Sequence, residues 1–243
     1  MVKFLRGLVL LVLVLTVAAL PAAAGTPSDA EITDPCGDLP PLVRAGNNQL
    51  TYQETRATGF DVASAWFSDL RDSATGPNAG LRVTLRVCGD VPAPQLQGSG
   101  WTVTWAAPQF NTANRDCAAT TALEDLLVEG GVEIRRSARL SVMCQQPSTD
   151  ELGRPTVTAS TLFEVPLTAQ QFAVDGGEIT WTLRRDALEG DGAQVIAPGT
   201  VVGLPRAATR DGRHFIGGGQ GDIWVRPGAT DSTEAGRNYL IAD

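Results

Sequence analysis

Three aspartates near the start of the chain have the side chains best suited to chemistry. Asp34 and Asp38 bracket the turn Asp-Pro-Cys-Gly-Asp, and Asp61 opens a later apolar stretch. Carboxylates combined with the carbonyls of a tight turn suit calcium, a hard cation that takes six to eight oxygen ligands. A plain turn would use the same residues differently, with Asp34 and Asp38 accepting hydrogen bonds from nearby backbone N–H groups. Both readings stay open on the residues alone. The five tryptophans, Trp66, Trp101, Trp105, Trp181 and Trp224, form a second set, because an exposed indole can stack on a sugar. Four of them fall at the apolar parity of alternating stretches and are expected in a core. Trp224, beside the glycine-rich GGGQGD, is the candidate stacking platform, with Tyr52 and Tyr239 behind it.

Catalytic chemistry has little to draw on. The only histidine is His214, and no GxSxG elbow accompanies it, so a serine triad with Asp211 lacks its usual support. Lys3 is the only lysine. It lies in the basic start of the chain, which leaves the rest without Schiff-base or lysine-base chemistry. GGGQGD, residues 217–222, lacks the lysine and following helix of a phosphate loop and reads as a turn. Glu189 and Asp191 are close in sequence, but sequence alone does not set the separation that a glycosidase pair needs.

The first 24 residues read as a secretory signal peptide. Lys3 and Arg6 precede the apolar run Leu8 to Leu20, and Ala22-Ala23-Ala24 supplies a small-residue cleavage site. Residues 25–30 are small and polar and are expected to fray. The formal net charge of −8 would become −10 on loss of Lys3 and Arg6. An acidic chain without a basic run is a poor partner for nucleic acid. No stretch after the leader is long and apolar enough for a transmembrane span, so a secreted, extracellular protein is expected. Cys36, Cys88, Cys117 and Cys144 all follow the leader, and an even count in an oxidising compartment implies two disulfides. Of three pairings, Cys36–Cys88 with Cys117–Cys144 is favoured. The first would tie the N-terminal segment to the opening strand, and the second would close an insertion between two strands. With no CxxC pair, the cysteines are not expected to hold a metal.

The elements that must position these residues are strands. Leu81, Val83, Leu85 and Val87 alternate with Arg82, Thr84 and Arg86, which predicts a strand with one buried and one wet face. Trp101, Val103 and Trp105 repeat the pattern, as do Ile179, Trp181 and Leu183. Residues 60–70 predict a strand with Val62 and Trp66 inward, hairpinned to residues 80–87. Residues 31–38 give a short strand and turn, and 40–59 a long loop with a short strand near Leu50 to Tyr52. In 121–131, Leu123, Leu126 and Leu127 have helical spacing and propensity favours a helix, with a strand as the competitor. Residues 132–144 read as a strand pair or one bent strand, and 156–167 as a Thr- and Val-rich strand. Eight or so strands, frequent Gly and Pro turns and at most one short helix predict an all-β, antiparallel, jelly-roll-like sandwich over residues 31–243, in a single domain.

The order DPCGD, FDVASAWFSDL, LRVTLRV, WTVTW, then EVPL, GGEITWTLRRDAL and APGTVV, resembles DOMON-type domains and family 9 carbohydrate-binding modules. It is most similar to their secreted actinobacterial-type members, over roughly residues 31–243. The resemblance implies a β-sandwich that binds sugars, in some members with a structural calcium near the DPxGD turn and in others with haem. A haem would need an axial pair from His214 and Met143, the only His and Met beyond the leader. The resulting expectation is a non-catalytic binding module for a glycan or cell-surface ligand, with calcium at Asp34, Asp38 and Asp61 and ligand contacts at Trp224 and Tyr52. The alternative is an envelope structural or protein-interaction domain without a small ligand. An enzyme has the least support.

Overall fold

The computed structural model describes residues 27–39, 42–46, 49–54, 58–94, 98–128, 133–211, 222–224 and 231–243. The expected leader lies outside them, as do His214 and the side chains of Tyr52 and Trp224. Within the segment expected to fray, Pro27–Asp29 forms one 3-10 turn and Ala30 is buried.

Fifteen strands follow in order among the described residues. They are β1 (Ile32–Thr33), β2 (Leu42–Gly46), β3 (Gln49–Glu54), β4 (Val62–Arg71), β5 (Asn78–Val87), β6 (Gly100–Ala106), β7 (Asp116–Leu127) and β8 (Ile134–Thr149). Then come β9 (Pro155–Leu167), β10 (Phe172–Asp175), β11 (Glu178–Arg184), the five-residue helix α1 (Asp191–Val195), β12 (Val201–Arg210), β13 (Asp222–Trp224), β14 (Asp231–Ser232) and β15 (Tyr239–Leu240). One sheet runs β1-β4-β5-β11-β10 and a larger one β14-β12-β6-β7-β8-β9, with β15 also on β12. A small third sheet runs β13-β2-β3; β3 contains the short strand expected near Leu50 to Tyr52, and β2 forms where loop was expected. The strand pairings are antiparallel. The all-β sandwich is therefore the fold.

The core fills the space between the two large sheets. Leu81, Val83 and Leu85 of β5 and Ile179, Trp181 and Leu183 of β11 are fully buried, as are Trp101 and Val103 of β6. Each such side chain contributes about 1.5–3 kcal/mol relative to exposure. The wet face of β5 carries exposed Arg82 and Arg86, while Thr84 is covered beside its register partner Trp66.

Two expectations change for physical reasons. The register of β4 slips between Val62 and Ser64, and a bulge of this kind exchanges the faces beyond it. Ala65 and Phe67 therefore join Val62 in the central cluster, and Trp66 is buried on the opposite face. The described part of the leucine-spaced segment, residues 121–127, is no helix. It continues β7, which pairs on one side with β6 and on the other with β8. Two ladders outweigh a propensity difference of a few tenths of a kcal/mol per residue, roughly the whole spread among ordinary residues. Leu123 is buried, whereas Leu126 and Leu127 are each 42% exposed, so the helical stripe was never a single face. Residues 134–149 form one continuous strand.

Both favoured disulfides are present, Cys36–Cys88 and Cys117–Cys144. The second joins directly opposed residues of β7 and β8.

Candidate metal centre

At one end of the sandwich the chain brings together acids from both its ends. Asp34 leaves β1, and its N–H donates to the carbonyl of Ala63 at 2.9 Å, which fixes the turn against β4. Pro35 and Cys36 follow, and the Cys36–Cys88 bridge pins the turn to the end of β5. Gly37 sits at φ +97°, a conformation that glycine adopts at no steric cost. Its N–H donates to Asp61 Oδ2 at 2.7 Å. Asp38 closes the turn.

Asp61 is the buried acid next to the turn. It lies between the short turn Thr58–Phe60 and β4, and is 1% exposed. Its backbone is held on both sides, by Thr58 at 3.1 Å and by the N–H of Cys88 at 2.8 Å. Gly59 beneath it has no room for a side chain, since a Cβ there would lie 2.2 Å from the Asp90 carbonyl. Asp61 Oδ2 has its partner in Gly37, whereas Oδ1 is buried without any hydrogen-bond partner. A buried carboxylate oxygen left bare in this way is costly, and a cation or a bound water is the usual remedy.

The fourth acid comes from the far end of the chain. β14 pairs with the end of β12, Asp231 opposite Thr209. Thr209 in turn donates its hydroxyl to the carbonyl of Phe60. That places Asp231 over the start of β4, where its Oδ2 accepts the Val62 N–H at 2.7 Å. Oxygens of Asp34, Asp38 and Asp231 lie within 4.8 Å of one another. Three carboxylates at that spacing are a donor set of hard oxygens suited to calcium or magnesium.

The electrostatics agree with this geometry. Loss of hydration pushes the Asp34 carboxyl up to about 6, and Asp231, Asp38, Asp61 and Glu234 add to the rise. Asp231 is also raised, first by burial and then by Asp38 and Asp61, against the lowering effect of the Val62 N–H. Acids that raise one another in this way lower their free energy by taking up either protons or a cation.

A groove of 460 Å³ opens beside Asp34. Glu31, Glu234 and Arg237 line it further along. Arg237 is anchored by Asp29 at 2.7 Å and by the carbonyl of Ala30 at 3.0 Å.

Of the expected metal residues, the structure brings Asp34 and Asp38 together, while Asp61 stands outside the group that they form with Asp231 and acts on Asp34 through its charge. Asp231 and Glu234 were not anticipated. No local motif marks them, and only the β12–β14 pairing carries them to the turn. Trp66, Trp101, Trp105 and Trp181 are all buried, at 7% exposure or less, and offer no sugar platform. Met143 is exposed on β8, while the candidate contacts at Trp224 and Tyr52 lie outside the described side chains. Comparison with known proteins finds no matching family model, no matching curated protein and no matching solved structure.

Proposed function

We propose that this chain is an exported, non-catalytic binding module, stabilised at one end of its sandwich by a divalent cation and serving to bind a glycan or another cell-surface ligand. The observation that carries the cation is the meeting of the Asp34, Asp38 and Asp231 carboxylates within 4.8 Å, beside the buried acid Asp61, whose Oδ1 has no partner and whose charge raises Asp34. Asp34, Asp38 and Asp231 would hold calcium, with turn carbonyls as further ligands. The two disulfides fit an oxidising compartment. No helix among the described residues is long and apolar enough to cross a membrane.

The groove beside Asp34 supplies a seat for the ligand. Its carboxylates and the Arg237 guanidinium offer acceptors and donors of the kind that hydroxyl-rich sugars use. A glycan-array assay of the mature chain, run in calcium and in chelator, tests the reading. Binding of a defined glycan in calcium, lost in chelator and in Asp231→Asn, is the expected result. Absence of binding in both buffers would refute the glycan and leave an envelope interaction domain.

A further inference from the structure

The larger sheet ends in a strand whose first half is uncovered among the described residues. β9 is the last strand of its sheet and has a single neighbour, β8, among the described strands. Val165, near its C-terminal end, meets α1 at Gly192. Its first seven residues, Pro155 to Thr161, are exposed throughout. So are most of the β8 residues opposite them, from Gln145 to Thr149. The two strands therefore leave the sandwich as a ribbon with both faces and one edge in water. Every second N–H and C=O of β9 points to that open edge.

The edge lacks the usual protection against strand pairing. Edge strands are commonly blunted by charges, by internal prolines or by bulges. Pro155 to Thr161 carries no charge, its single proline stands at the first position, and the register slip in this ladder comes after it, where Leu162 is skipped between Thr161 and Phe163. Thr156, Val157, Thr158 and Thr161 are β-branched residues suited to a pleated surface. In a chain with net charge −8, two copies repel over most of their surface. This strip is neutral.

We propose that β9 pairs antiparallel with β9 of a second copy across a twofold axis, joining the two larger sheets into one. The charges that flank the neutral stretch select the register. With Ala159 on the axis, Val157 faces Thr161 of the second copy, and past the bulge at Leu162 the long side chain of Arg154 comes beside Glu164. The twofold makes each contact twice, and no acid is set opposite another acid. Arg154 and Glu164 are available for this, with side chains 71% and 54% exposed. Their present partners, Asp150 at 2.6 Å and Arg139 at 3.4 Å, are neighbours on the same ribbon and the same sheet. A heterologous partner strand would gain the backbone bonds but not this reciprocal charge match, so a second copy is the favoured occupant.

Sedimentation velocity of the mature chain over about 1 to 200 µM tests the pairing, this being the range in which a small interface registers. The expected result is a monomer–dimer equilibrium. Ala159→Lys sets two cations opposite each other on the axis, at an exposed position outside the core, and is expected to give a monomer. Arg154→Glu and Glu164→Arg each turn two attractions into two repulsions and are expected to weaken the dimer about tenfold. The double variant restores it. A wild-type monomer at the highest concentration overturns the proposal. So does a dimer indifferent to Ala159→Lys, and a double variant no better than the singles overturns the register.

Discussion

The clearest consequence of the acid cluster is a stability that responds to pH and calcium together. In chelator, folded Asp34 holds its proton up to about pH 6, against an ordinary value of 3.8. The folded chain then binds more protons than the unfolded chain between those values. Stability is fully present below the unfolded value and falls as pH rises through the folded one. A shift of this size has a ceiling of about 3 kcal/mol, and because Asp34 is partly open to solvent, screening reduces the expected loss to about 1 kcal/mol. Asp231 shifts in the same direction. Calcium removes the loss, since it needs the ionised carboxylates. At one hundred times its dissociation constant it contributes about 2.7 kcal/mol. For a chain of this length that corresponds to a rise in Tm of about 5–10 °C at pH 7.5, shrinking to about 1–2 °C at pH 4.5. Thermal melts from pH 4 to 8, in calcium and in chelator, check both slopes. Other acids titrate as well: Asp72, Asp150 and Asp186 are held below the usual range by arginine and backbone partners. Subtracting the profile of Asp34→Asn cancels them. Equal Tm values in calcium and chelator at pH 7.5, or a difference profile that rises from pH 4 to 6, would refute the reasoning.

Other predictions concern the frame around the site. Replacing Cys36 and Cys88 by Ala opens a loop spanning a 52-residue separation, which costs about 4 kcal/mol on chain entropy, and weakens calcium binding because the turn loses its anchor. The Cys117–Cys144 pair spans 27; its removal costs about 3.5 kcal/mol and leaves calcium affinity unchanged. Urea melts and calcium titrations separate the two. Arg136→Ala strands the Asp125 carboxylate, whose side chain is 1% exposed and paired to Arg136 at 2.9 Å; about 3–5 kcal/mol is expected from urea unfolding. Phe67→Ala, on the face that the bulge turned inward, is expected to cost about 3–5 kcal/mol by the same assay, which contradicts the account if the variant melts like the parent.

Much of the fold was legible because its strongest signals are local. The alternation in β5, β6 and β11 places each apolar residue on one face, and the structure buries those residues. The misreadings occur where a nonlocal partner decides. Phe67 displaced Trp66 in the central cluster because a single bulge near Ser64 changes parity, and no residue pattern announces it. Helical spacing in β7 lost to two ladders whose partners lie in β6 and β8. The candidate site shows the same division. Asp34 and Asp38 could be read from a turn rich in carboxylates. Asp231 is 169 residues from Val62, whose N–H it accepts, and only the pairing of β12 with β14 makes them neighbours.

Calcium titration by calorimetry at pH 7.5 tests the central claim most directly. The account expects one calcium per chain in the wild type, with the heat lost in Asp231→Asn and in Asp34→Asn while the far-UV spectrum of each variant keeps its β signature. A wild-type chain that gives no binding heat with calcium or magnesium, or variants that bind as the wild type does, would contradict it.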